Sequence, residues 1–232
     1  MKFSKLFVKI AQAMKGNRFV VLQGGSSSSK TYSTAQMLII QALKSEKRKL
    51  VSVVAETIPH LKRGVMRDFF KILIEQGFYS EDYHNKTDST YKLGRWTIEF
   101  FSADNDAKLR GARRDILFVN ECNRITWDAF TQLEIRTRDK IFLDFNPVSR
   151  FWVHSKLMNP NNSYSFIKST YLDNVDHLTG QPLLEESIIK AIESRKPVFD
   201  TEGNILSGDE QFWKVYGLGE VGSMEGVIFN NW

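Results

Sequence analysis

Lys30 and Thr31 stand together at the end of a run of small residues, Gly24, Gly25, Ser26, Ser27, Ser28 and Ser29. An apolar, β-rich stretch, Phe19 to Leu22, precedes the run, and helix-forming residues follow it. A loop of small residues lets backbone N–H groups converge on an anion, and a helix opening at its end adds the partial positive charge of its N-terminus. A lysine at that point reaches the outer phosphates of a nucleoside triphosphate, and the adjacent threonine hydroxyl is a ligand for Mg²⁺. The stretch therefore predicts a nucleoside triphosphate and Mg²⁺ as cofactors.

The usual pattern of such a P-loop is G-x-x-x-x-G-K-[ST]. Read from Gly24, this chain has Ser29 where the second glycine belongs. Serine carries a Cβ and resists a positive φ. The loop must take a conformation open to L-residues or hold strain at that position. A serine-rich surface linker is the plain alternative, but linkers seldom follow a buried-type strand and end in Lys-Thr.

Phosphoryl transfer also needs acids beside the metal and the attacking water. The candidate is the run Asp115 to Asn123, where an apolar strand ends in Asn120-Glu121. Glu121 is the expected general base. Asn120 takes the place of the usual metal-side aspartate. Its amide oxygen can contact a metal-bound water but brings no charge, so metal affinity should be lower or another acid must help. Taken alone, Glu121 reads as a solvated carboxylate at a strand end. Cys122 reads as a small buried side chain, and the four histidines are scattered without metal-ligand spacing.

The elements that must position these residues alternate. Helices are expected over about residues 3 to 14, 30 to 45, 59 to 77, 126 to 137 and 183 to 195, with a further helix and strand within 151 to 170. Buried-type strands are expected at 19 to 22, 50 to 56, 116 to 119 and 141 to 145, and a hairpin or meander over 78 to 101. Such alternation argues a mostly parallel sheet with helices on both faces. After Pro197 the chain turns glycine-rich (Gly203, Gly208, Gly217, Gly219, Gly222 and Gly226). The expected division is a core over 1–197 and a small subdomain or linker over 198–232. With 232 residues, 42% of them hydrophobic, the chain can bury a sizeable core and is not a disordered segment. A net charge of +5 is compatible with a polyanionic partner or with ordinary surface lysines. The single cysteine excludes an intrachain disulfide, and no apolar run reaches the roughly 20 residues of a membrane span.

Taken in order, several segments resemble the ATPase domain of the large terminase subunit of tailed bacteriophages, the DNA-packaging motor. These are QGGSSSSKTYS, VVAETIPHLKRGVMRDF, WTIEFFSADNDAKLRGARRDILFVNECNRI, IRTRDKIFLDFNPVSRFWVH, STYLDN and YGLGEVGSMEGVIFNNW. The resemblance spans essentially the whole chain. It implies an α/β P-loop NTPase fold of the RecA/ASCE type, with a small C-terminal subdomain or linker. It implies an ATPase that drives double-stranded DNA into a procapsid as a homo-oligomeric ring, with a portal protein and a small terminase subunit as partners, in the host cell cytoplasm. An RNase H-like nuclease domain follows this region in the family, and none of its residues falls within this sequence.

The resemblance also assigns roles. Among Arg110, Arg113 and Arg114, it points to Arg110 as an arginine finger acting on a neighbouring subunit's site. Asn146, in the Phe145-Asn146-Pro147 segment, would sense the γ-phosphate, and its amide has the donor and acceptor atoms to do so. A plain Asn-Pro turn is the alternative there. Arg18 would lie on the adenine side. Two other functions share parts of this pattern: a helicase- or recombinase-like P-loop ATPase, and a nucleotide-binding scaffold without turnover, which Ser29 and Asn120 would suit. A plain DNA-binding protein would leave the loop unexplained.

Overall fold

The computed structural model of the chain describes residues 1–104 and 109–222. Among the described residues, eight strands share one sheet. They are β1 (Phe19–Gly24), β2 (Lys49–Ala55), β3 (His84–Asn85), β4 (Thr90–Leu93), β5 (Trp96–Ser102), β6 (Arg114–Val119), β7 (Thr137–Phe145) and β8 (Tyr164–Ser169). Their spatial order is β3-β4-β5-β2-β6-β7-β1-β8. The six from β5 to β8 in that order are parallel, and β4 and β3 add an antiparallel edge.

Strand residues alternate between two cores, because successive side chains point to opposite faces. Val20, Leu22, Val53, Phe118 and Phe142 pack on one face beneath α1 (Lys5–Ala13), α2 (Lys30–Lys44), α3 (Ile58–Arg63) and α4 (Val65–Glu75). Phe19, Val21, Leu117, Val119 and Leu143 pack on the other, against α5 (Trp127–Glu134) and the turn Val153–Leu157. A strand covered on both faces needs apolar residues at every position, which is why these strands read as unbroken apolar runs.

The helix expected over 59 to 77 is two helices, α3 and α4, meeting at Gly64. A Cβ on Gly64 would sit 3.1 Å from the His60 carbonyl and 3.4 Å from the Asn120 side chain, so the break lets the chain pass close to the end of β6. β7 starts at Thr137 and not at Ile141, with Arg138 and Asp139 exposed near its start. The helix expected after residue 151 is a single π-helical turn, Val153–Leu157.

The region after Pro197 holds an exposed hairpin, β9 (Val198–Phe199) with β10 (Ile205–Ser207), then helical turns over Glu210–Phe212 and Trp213–Gly217. The chain then returns to the sheet. Gln23 donates to the Gly219 carbonyl at 2.9 Å, and the Gly222 N–H donates to the Pro147 carbonyl at 2.9 Å. Gly226 and the rest of the 198–232 segment after residue 222 lie outside the described residues. No helix among the described residues is long and apolar enough to cross a membrane.

Candidate active site

In a parallel sheet the strands all point their C-terminal ends at one edge, and loops there gather residues from distant parts of the sequence. β7 lies between β6 and β1. The ends of these three strands bring together the serine-rich loop, Asn120-Glu121 and Asn146. Ser26 to Thr31, Glu121, Asp144 and Asn146 line one cavity of about 680 Å³.

The loop holds the strain that its missing glycine implies. Ser29 has φ 64° and ψ 17°, and Ser27 has φ 66°, both in the left-handed region. Side chains from elsewhere hold these conformations. Asn174 donates to the Ser27 carbonyl at 2.9 Å. The Ser29 hydroxyl lies 3.1 Å from those of Ser4 and Ser33. Ser28 donates to the Gly25 carbonyl at 2.8 Å and lies 3.2 Å from the Ser169 hydroxyl. Gly24 and Gly25 are glycines for reasons of space: a Cβ on Gly24 would run into the Ser169 carbonyl, and one on Gly25 into the Tyr216 carbonyl.

Lys30 folds back over its own loop. Its ammonium faces the carbonyls of Gly24 and Gly25, each at 2.8 Å, and the Ser28 hydroxyl and Asn146 Oδ1, each at 3.1 Å. Burial lowers its pKa to about 8, against the pull of Asp144 and Glu121. Asn146 also reaches the Ser26 hydroxyl, at 3.4 Å. A phosphate group entering the loop would meet the lysine and the asparagine together.

The centre of the site is an acid that no sequence expectation named. Asp144, 2% exposed, accepts from the Thr31 hydroxyl at 2.6 Å, from Asn120 Nδ2 at 2.9 Å and from the Glu121 N–H at 2.7 Å. Burial pushes its carboxyl above the usual range, and the Thr31 bond and the Lys30 charge pull it back. The signal was present in the sequence: Asp144 is a charge inside the otherwise apolar run Ile141 to Phe145. Asn120 turns its NH₂ toward Asp144 and Thr31, the latter at 3.2 Å. The amide thus supports the carboxylate.

Glu121 sits just past the end of β6 with φ 50° and ψ 54°. Its carboxylate is 2.9 Å from Arg124 Nε and 3.2 Å from His60 Nε2, and Glu56 lies beyond both partners. Cys122 is fully buried, and burial pushes its thiol well above the ordinary range.

Two expected residues are not brought here. Arg18 precedes β1, some 20 Å along the strand from the loop at ~3.3 Å per residue. It donates to the Glu134 and Thr137 carbonyls at 3.0 and 2.9 Å and lies over the Phe19 ring. Its side chain therefore lies at the N-terminal end of β1, away from the loop. Arg110 is exposed in the connection before β6, outside the cavity of its own chain. Arg114, by contrast, is buried over Phe101 and cannot reach a neighbour.

A family model, the phage terminase large subunit, matches residues 16–220. A search of curated protein sequences finds no match. Among solved structures, the large terminase from a thermophilic bacteriophage superposes with a TM-score of 0.75 at 16% identity, over 99% of this chain and 56% of that one. The same protein in complex with ADP gives 0.67 at 16% identity, over 84% of this chain and 50% of that one. The ATPase domain of the Thermus phage P74-26 large terminase gives 0.60 at 16% identity, over 92% of each chain. This chain thus spans about half the length of the first of these proteins, and at such identities the structural likeness establishes the fold. The α/β fold with its mostly parallel sheet and the match over residues 16–220 lead to one conclusion: the chain belongs to the phage terminase large subunit family.

Proposed function

We propose that this chain is the ATPase motor of a DNA-packaging terminase. The observation that carries the reading is the cavity in which Lys30, Thr31, Glu121 and Asn146 meet at the C-terminal edge of the sheet. The loop amides and the first turn of α2 would hold the phosphates of ATP, since the first N–H groups of a helix have no partner within it. Lys30 would exchange its bonds to the Gly24 and Gly25 carbonyls for phosphate oxygens. Asn146 would move with it and so report the γ-phosphate. Glu121 would orient and deprotonate the attacking water after leaving Arg124 and His60.

The donors beside the loop suit magnesium. A hydroxyl and a carboxylate are hard oxygen ligands, and Mg²⁺ is commonly held by one or two such groups together with substrate phosphates. Thr31 would hold the ion. Bound there, it would neutralise charge developing on the transferred phosphoryl group. Arg110, exposed and outside its own cavity, would complete the site of a neighbour in a ring on the procapsid. On this reading the remaining partners would be double-stranded DNA gripped through its phosphates, a portal protein and a small terminase subunit, in the host cytoplasm. Residues 1–197 would form the motor core and 198–232 the linker to a nuclease domain.

A nucleotide-binding scaffold without turnover is the second reading. The engagement of Glu121 with Arg124 and His60 favours it. ATP turnover with Mg²⁺ separates the two, measured on the wild type, Lys30→Ala and Glu121→Gln. A motor loses turnover in both variants, and Glu121→Gln still binds nucleotide. Bound nucleotide without turnover in the wild type, at every protein concentration and with DNA added, would overturn the motor reading.

A further inference from the structure

We infer that the charge on the metal side of this site comes from Asp144 on β7, and that Asn120, where such sites usually carry the acid, is its support. The inference rests on the nucleotide-site reading above.

Three observations converge on Asp144. The first is register. β6 and β7 are parallel neighbours, with Phe118 opposite Phe142 and Val119 opposite Leu143. Asn120 and Asp144 are the next positions of the same frame and face the same side of the sheet, toward α2. A carboxylate at either position reaches the same point. The second is what that point contains. Asp144 Oδ2 is 2.6 Å from the Thr31 hydroxyl, the loop's own metal-ligating oxygen, while Oδ1 holds the Glu121 N–H at 2.7 Å. One carboxylate thus touches both the metal-side residue and the backbone of the general base. The third is direction. Asn120 offers the cluster an NH₂, 2.9 Å from Asp144 Oδ1 and 3.2 Å from Thr31. An NH₂ repels a cation and attracts a carboxylate, so Asn120 positions Asp144.

The cost of the arrangement explains its support. A buried carboxylate is tolerated where it is hydrogen-bonded or paired. Asp144 has three donors, with Lys30 close enough to stabilise its charge. An aspartate at residue 120 as well would place two carboxylates in contact, and like charges so close cannot both ionise easily. One acid and one amide are the arrangement that a buried pair can hold.

The test is the affinity of a fluorescent ATP analogue, measured in EDTA and again in Mg²⁺, for the wild type, Asp144→Asn, Asp144→Ser and the exchange Asn120→Asp/Asp144→Asn. Melting temperatures without nucleotide accompany each. The wild type should bind more tightly in Mg²⁺. Asp144→Asn should lose about tenfold or more of that gain while its affinity in EDTA holds, as for other supports of metal sites. Asp144→Ser, which leaves a small acceptor for Asn120, takes the same reading should Asp144→Asn melt too early. The exchange should recover part of the gain, because the charge returns to the same point from β6. An undiminished gain in Asp144→Asn or Asp144→Ser overturns the inference, as does a loss of affinity in EDTA equal to that in Mg²⁺, which marks a structural role only. A wild type that binds no nucleotide under either condition overturns the site reading itself.

Discussion

At the scale of single residues, the site stores unfavourable states that a bound nucleotide would relieve. Lys30 is buried with a pKa lowered from 10.5 to about 8. The unfolded chain therefore binds more protons than the folded one between those values, and stability of the nucleotide-free protein should rise with pH through that window. Phosphate would favour the ammonium form. Nucleotide affinity should accordingly fall from about pH 7 to about pH 9, with proton uptake on binding near the upper end, read by calorimetry in buffers of different ionisation enthalpy. Affinity that is flat over this range would contradict the buried, depressed lysine. Ser29 supplies a second case. Its left-handed backbone costs an L-residue roughly 1–2 kcal/mol, and its hydroxyl contacts to Ser4 and Ser33 offset part of that. Ser29→Gly removes both the strain and the contacts, while Ser29→Ala removes only the contacts. Urea denaturation should therefore find the glycine variant more stable than the alanine variant by about 1 kcal/mol. Equal stability would mean that the loop relaxes around residue 29.

At the scale of elements, β7 does most of the positioning. It lies between the loop strand and the acidic strand, and its last residues supply Asp144 to one face and Asn146 to the loop beyond. The C-terminal segment acts on the same edge from outside. Tyr216 and Gly219 pack on Gly25, Gly24 and Gln23. Gly25→Ala should drive a Cβ against the Tyr216 carbonyl and cost about 1–3 kcal/mol. Hydrogen exchange should then quicken over residues 213–222 and in the loop, and hold its wild-type rate in β2 and β5. Unchanged exchange over 213–222 would show that the packing of this segment does not depend on the loop.

At the scale of the whole molecule, the cavity of one chain holds Lys30, Thr31, Asn146 and Glu121, with Arg110 outside it. If Arg110 serves a neighbour, two defective chains can repair each other. Arg110→Ala keeps an intact acid and loop, and Glu121→Gln keeps its arginine. Mixed at high concentration, they should recover turnover well above the sum of the two measured separately, and wild-type turnover per chain should climb with protein concentration. A mixture no more active than its parts would place the arginine's role elsewhere.

Local pattern alone determined the layered α/β class, the order of the main strands along the chain and the lysine-threonine loop. Apolar runs between punctuating glycines and serines are the direct imprint of strands covered on both faces. The same reading overran the helix at Gly64 and began β7 late, because a glycine tucked against Asn120 and a polar strand opening are decided by neighbours and not by propensity. The tertiary structure alone settled which acid meets Thr31 and where Arg18 lies. Asp144 and Asn120 are 24 residues apart and meet only through the register of two parallel strands. Arg18 is close to the loop in sequence and a strand's length away in space. A chain specifies its elements through short-range periodicity, but contacts between strands depend on sheet order, and sheet order is a property of the whole packed molecule.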